Sequence, residues 1–271
     1  MDAAGSHGRA SADPGAVAAR TINTPWSLQH PSQLDAALSA GDRLPPQLLS
    51  ASVYRRGVAE QQRDELQGLL SVLGWADVDV ALVLDALSLP CVHYVGLSIG
   101  GMIGQAFAID YGAKLISALW SDTLPASPKG AADQWAQRMN TVRQANSLEP
   151  LANPTMERWF TDAFKPSKPG RWKQIRDTVA ATTPAGYLGC SAAIINFDFT
   201  AQLAALRVPT LVVCGADDPG TAASENRRLA ELVPGDRYEE VANARHFPNV
   251  EHPEAFNRIM MGWLEAQRHP R

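Results

Sequence analysis

From about residue 70 the chain alternates short apolar runs with longer stretches in which apolar residues recur at helical spacing. Residues 75–89 have that spacing, and 91–95 (CVHYV) form a short apolar run that stops at Gly96. Residues 99–108 are small and apolar enough for a tightly packed helix, and 115–120 read as a second strand. Later, 209–214 (PTLVVC) predict a buried strand, 224–232 a helix, 237–241 an edge strand and 254–267 a closing amphipathic helix. Strands separated by helices imply right-handed crossovers, hence a mostly parallel sheet with helices on both faces: an α/β protein.

Two stretches break the alternation. Residues 124–190 are rich in Trp, Arg and Pro and read as several helices without a strong strand. An insertion of that size between two sheet strands predicts a helical cap over a site. Residues 1–47 offer no apolar strand, and 48–54 (LLSASVY) are the first credible one. The expected division is therefore a divergent N-terminal segment, 1–47, a core made of 48–123 and 191–271, and a cap at 124–190. The early strands of such a sheet are missing or rebuilt here.

Composition narrows the partners. The chain has 271 residues, 45% hydrophobic and 19% charged, and a net charge of -4. Nothing in that balance draws it to nucleic acid. The first twenty residues lack the apolar core of a signal peptide, and no run approaches the roughly 18 apolar residues of a membrane span. The expectation is a cytoplasmic protein. Cys91, Cys190 and Cys214 lie far apart, with no CxxC or Cys/His cluster to suggest a metal.

The chemistry is concentrated in three places. Gly96-Leu97-Ser98-Ile99-Gly100-Gly101 is G-x-S-x-G at a strand-to-helix junction. A serine hydroxyl is a poor nucleophile unless a base reaches it, and this junction makes the sharp turn that projects it. The helix start also brings the Ile99 N–H near an oxygen that becomes negative during attack. The strand at 209–214 runs into Gly215-Ala216-Asp217-Asp218-Pro219, where an acid could hold a histidine in one tautomer. Asp217 and Asp218 compete; Asp218 is favoured because the related motif places its acid third after the glycine. His246 follows the next strand, whereas the other histidines precede the sheet, lie inside a strand, start a helix or end the chain. The order Ser98, Asp218, His246 is that of a catalytic triad on such a sheet.

Beyond those residues the chain resembles the 3-oxoadipate enol-lactonases of aromatic catabolism, members of the α/β-hydrolase fold. The resemblance runs from about Ser71 to Trp263. It includes GLSIGGMIGQ at 96–105, MERWFTDAF at 156–164, TPAGYLGCSAAI at 183–194, CGADDP around Asp218 and ARHFPNVEHPEAF around His246. It implies attack of Ser98 on a lactone carbonyl, an acyl-enzyme, loss of an enolate and hydrolysis, with no metal or organic cofactor. The implied substrate is a small lactone or ester bearing a carboxylate, which in an apolar pocket needs a cation. Arg138, Arg143, Arg158 and Arg176 are candidates for it, and Trp135 and Trp159 for the pocket wall. Trp135 and Arg138 are taken as the substrate-binding pair.

The N-terminal third departs from the pattern. A second oxyanion donor is expected on a glycine-bearing loop, and the corresponding segment, near Ile22 and Asn23, has no glycine. Alternatives therefore stay open: a general esterase, a carbon–carbon bond hydrolase, a cofactor-free perhydrolase, or a catalytically impaired binding protein.

Overall fold

The computed structural model describes residues 72–235 and 237–267. The expected strand at 48–54, the segment 1–47 and the second oxyanion donor near Ile22 and Asn23 lie outside the described residues. Within them, α1 (Val72–Ala86) leads to β1 (Val92–Leu97), α2 (Ile99–Tyr111) and β2 (Leu115–Ser121). Five helices follow: α3 (Ala131–Ala145), α4 (Glu149–Trp159), α5 (Phe164–Ser167), α6 (Pro169–Ala180) and α7 (Pro184–Asn196). After α8 (Thr200–Leu203) come β3 (Thr210–Gly215), α9 (Ala223–Leu232), β4 (Tyr238–Val241), α10 (Pro248–Glu251) and α11 (Pro253–Ala266).

The four strands form one sheet in the order β1-β2-β3-β4, every pair parallel. Side chains alternate across a strand, so each strand supplies both faces. On one face Ala118, Trp120 and Val212 pack with Ala81 of α1, Phe107 of α2 and Leu229 of α9. On the other, Leu119, Leu211, Val213 and Val241 pack against Phe256 and Trp263 of α11. A sheet buried on both faces needs apolar residues at nearly every position, and all six residues of β3 are buried.

The alternation of strand and helix follows the sequence pattern with small shifts. The helix expected at 75–89 ends at Ala86 because Ser88 turns left-handed, at φ 54°, while the Leu89 N–H returns to the Leu84 carbonyl. The strand expected to stop at Val95 continues through Gly96 to Leu97. The insertion between β2 and β3 is helical as expected. The boundary drawn at 190 falls inside α7, whose small apolar residues carry the helix on to Asn196. No single helix among the described residues is long and apolar enough to cross a membrane.

Glycine decides how closely α2 lies on the sheet. A Cβ on Gly104 would sit 2.4 Å from the Tyr94 ring and 2.8 Å from the Trp120 indole nitrogen, and one on Gly101 would meet Thr123 at 2.7 Å. Gly100 has open space around it, so the close packing belongs to Gly101 and Gly104. Gly104→Ala should therefore destabilise the protein by about 1–3 kcal/mol, the usual cost of overpacking. A chemical denaturation midpoint equal to that of the wild type would contradict this account of the α2 contact.

Candidate active site

Parallel pairing brings the carboxyl ends of β1, β2 and β3 to one edge of the sheet, and the sequence candidates gather there. Ser98 stands between β1 and α2 with φ 56° and ψ -118°, a strained conformation for a residue with a Cβ. Three contacts hold the turn. The Ser98 N–H donates to the Ser121 carbonyl at 2.8 Å, the Thr123 hydroxyl donates to the Ser98 carbonyl at 2.9 Å, and the Tyr94 hydroxyl donates to the Gly100 carbonyl at 2.7 Å. Gly96 is required because a Cβ there would lie 2.2 Å from the Gly100 carbonyl oxygen. Ile99 opens α2, so its N–H is one of the first-turn donors without a partner inside the helix.

Asp218 and His246 meet. His246 Nδ1 lies 2.7 Å from Asp218 Oδ2, and both side chains are buried. The acid's other contacts come from its own loop: the Gly220 N–H donates to Oδ1 at 2.7 Å, and the Thr221 hydroxyl donates to Oδ2. Burial raises the Asp218 pKa, but the hydrogen bond and charge of His246, with Thr221 and Gly220, outweigh it and bring it to about 2. An ionised carboxylate only accepts, so Nδ1 carries the proton and Nε2 keeps its lone pair. Burial also lowers the His246 pKa; the bond to Asp218 and the charges of Asp218 and Asp122 more than reverse this, leaving it above 6.5. Asp217, the competing acid, is exposed. Among the described residues the Ser98 hydroxyl has no hydrogen-bond partner; the turn's contacts are made by its backbone.

Two long-range attachments fix these loops. Asn226 of α9, fully buried, accepts from the Thr123 N–H at 3.1 Å and donates to the Thr221 carbonyl at 2.8 Å, tying the loop after β2 to the acid loop. Glu251 of α10 accepts from the Arg245 N–H at 2.7 Å and from the Thr161 N–H at 2.8 Å. The Arg245 guanidinium donates to the Glu157 and Phe160 carbonyls at 2.6 and 2.9 Å. The histidine loop is thereby fastened to the helical insertion. Phe247 joins the insertion's apolar cluster of Met156, Phe160 and Phe164.

The insertion also supplies side chains to the site. Trp159 stacks on His246 with centroids 6.0 Å apart and planes 23° apart. Arg158 sits beside the acid loop, 3.8 Å from where a Cβ of Gly220 would be. Arg138 lies over the Trp135 ring at 5.3 Å, and Trp135 is 6.5 Å from Tyr187. Burial and the charge of Arg158 lower the Arg138 pKa, so the two guanidinium groups feel one another. The other two candidates are engaged elsewhere: Arg176 pairs with Glu149, and Arg143 is exposed and donates to Asn140. Thr221, Asn226, Glu251 and a buried second acid, Asp122, were not singled out by the sequence. Asp122, Asp218 and His246 bring ligand-type atoms within 4.8 Å of one another. Their oxygens already accept from N–H and O–H donors, a hydrogen-bond network in its own right.

A parallel sheet with a strained serine turn at one strand end and a buried Asp–His pair at another is a hydrolase arrangement. Residues 75–253 match the α/β hydrolase fold family, and the chain belongs to it. Within that family its relatives include 3-oxoadipate enol-lactonases. It is 34% identical to 3-oxoadipate enol-lactonase 2 of Acinetobacter baylyi, over 67% of each chain, and 29% identical to enol-lactonase 1 of that organism, over 69% of each. Among solved structures, the enol-lactonase from Burkholderia xenovorans LB400 superposes with a TM-score of 0.68 at 27% identity, covering 71% of this chain and 73% of that one.

The site's electrostatics give a direct expectation. The proton on the His246 ring should be lost with a midpoint above pH 6.5, because the folded protein favours the charged ring. Asp218→Asn removes the leading favourable contribution while burial remains, so the midpoint should fall by more than one unit. Histidine NMR titration reads both values; an unmoved midpoint in Asp218→Asn would mean that the carboxylate does not hold the ring.

Proposed function

We propose that this protein is a serine hydrolase that opens an enol-lactone bearing a carboxylate, with Ser98 as nucleophile, His246 as base and Asp218 as orienting acid. The observation that carries the reading is the buried 2.7 Å bond between His246 and Asp218 at the sheet edge where the Ser98 turn projects. It leaves Nε2 free to take the Ser98 proton. Attack on the lactone carbonyl gives a tetrahedral oxyanion beside the Ile99 N–H, one of the two donors such a site requires. The ring carbon–oxygen bond then breaks, and the enolate oxygen departs with the acyl group left on Ser98. An enolate is a weaker base than an alkoxide, so the bond breaks with little acid help; the opened enolate then takes the proton from the His246 imidazolium, which returns the ring to its basic form. Water activated by His246 releases the second carboxylate and regenerates the serine. No step in this sequence calls for a metal or an organic cofactor.

The substrate class is supported by the two guanidinium groups of Arg138 and Arg158. Neither has a salt-bridge partner among the described residues; Arg138 lies over Trp135 beside Tyr187, and Arg158 is near enough for its charge to act on Arg138. A partly desolvated cation such as Arg138 is satisfied by a carboxylate arriving with the ligand. The likeness to relatives named as 3-oxoadipate enol-lactonases supports 3-oxoadipate enol-lactone as that substrate, and the helical insertion is read as the cap that selects it.

Ser98→Ala and His246→Ala should each lower hydrolysis by several orders of magnitude with little further loss in the double variant, because the residues act as a unit. The enol-lactone should be preferred over its methyl ester by roughly ten- to a hundred-fold in kcat/KM, equivalent to about 1.5–3 kcal/mol for one charge-assisted contact. Arg158→Met and Arg138→Met should narrow that ratio. Turnover of simple aryl esters that exceeds turnover of the enol-lactone would point instead to a general esterase.

A further inference from the structure

Asp122 is a buried acid that the mechanism above does not use. It directly follows β2, is fully inaccessible, and holds a left-handed backbone, φ 47°. Its N–H donates to the Val213 carbonyl at 2.9 Å. Its Oδ1 accepts from the Gly215 N–H at 2.8 Å, and its Oδ2 from the Ser121 hydroxyl at 2.6 Å. An asparagine could satisfy both: its amide oxygen accepts from Gly215, and the rotatable Ser121 hydroxyl accepts from its NH₂. Hydrogen bonding alone therefore gives no reason to bury a charge, which is costly unless another charge faces it. The facing charge is His246, within 4.8 Å.

We infer that Asp122 is a positioning residue, a second carboxylate that stabilises the imidazolium of His246 from the neighbouring strand. The inference rests on the reading of His246 as the base for Ser98. When His246 takes the serine proton its ring becomes positive, and that charge faces two carboxylates: Asp218 at the ring's Nδ1 and Asp122 across the sheet edge. The groups around this pair are few. Asp218 repels Asp122, the Cys214 thiol on β3 donates to the Gly215 and Thr221 carbonyls beside it, and Arg158 from α4 opposes the charge on His246. Burial pushes the Asp122 pKa up to about 7, with His246, Ser121 and Gly215 acting in the opposite direction. The acid thus loses its charge in the range where hydrolases work, and its hold on His246 weakens as pH falls through that range.

The sign of the effect follows. His246 must be neutral to act as base, so kcat/KM rises with pH through the loss of the ring proton. Removing the Asp122 charge makes that proton easier to lose, so the rising limb should move to lower pH by about one unit. The plateau should fall by about tenfold, because the transition state holds an imidazolium with one carboxylate fewer. The experiment compares the full-length wild type, Asp122→Asn, Asp218→Asn and the double variant. It records the pH profile of kcat/KM, the His246 NMR titration, and labelling of Ser98 by a fluorophosphonate. Asp218→Asn should retain residual activity that the double variant loses by a further tenfold. Should Asp122→Asn fail to fold, Ser121→Ala leaves the acid in place but removes a donor to its charged form. The His246 midpoint should then move the same way by a smaller amount. A plateau that falls while limb and NMR midpoint stay fixed, or a double variant equal to Asp218→Asn, overturns the inference. A wild type that does not label overturns the nucleophile reading and this inference with it; labelling with an unmoved limb overturns this inference alone.

Discussion

Parallel strand pairing is the constraint from which the site follows. Because β1, β2 and β3 run the same way in near-level register, with Leu97 opposite Ser121 and Ser121 opposite Val213, their carboxyl ends arrive together. The serine turn, the loop bearing Asp122 and Thr123, and the acid loop must then share one edge. Backbone groups that the ladder leaves unpaired at this edge become the attachment points. Ser98 donates to Ser121, and Gly215 donates to Asp122. A shift of one residue in any strand would turn its side chains to the other face and separate these partners. Sheet register and the geometry of the candidate site are one property seen at two scales.

Much of this was legible in the sequence because the signals were local. G-x-S-x-G sits between an apolar run and a helix of small residues, and its first glycine, Gly96, is where backbone and ring atoms come too near for a side chain. The favoured acid, Asp218, is the one that the structure buries against His246, while Asp217 points to water. The order of elements after residue 70 was likewise carried by runs of five to fifteen residues whose periodicity states their class. Their ends were read less well, since a left-handed serine at 88 or a strand passing through Gly96 depends on contacts from elsewhere.

The residues that the sequence did not disclose are those whose partners are remote. Asn226 looks like an ordinary helix residue until its contact with Thr123, which lies across β3 and the whole helical insertion, is seen. Glu251 sits in a short turn and earns its place through Thr161. Asp122 follows a strand as many turn acids do, and only burial beside His246 sets it apart. Of the five arginines in the insertion four were candidates, and sequence spacing could not separate Arg138 and Arg158 from Arg143 and Arg176. The difference lies in which of them a neighbouring Glu149 or Asn140 already engages.

The fastening of the histidine loop to the insertion has a mechanical consequence. Arg245 and Glu251 bind that loop to the end of α4 and to Thr161, and Phe247 is embedded in the cluster that α4 shares with α6. In the insertion α4 packs with α6 and α3 with α7, and α3 also packs on α4. A displacement of α4 would therefore be felt directly at the imidazole, and the ring's position is set by the insertion as much as by the sheet.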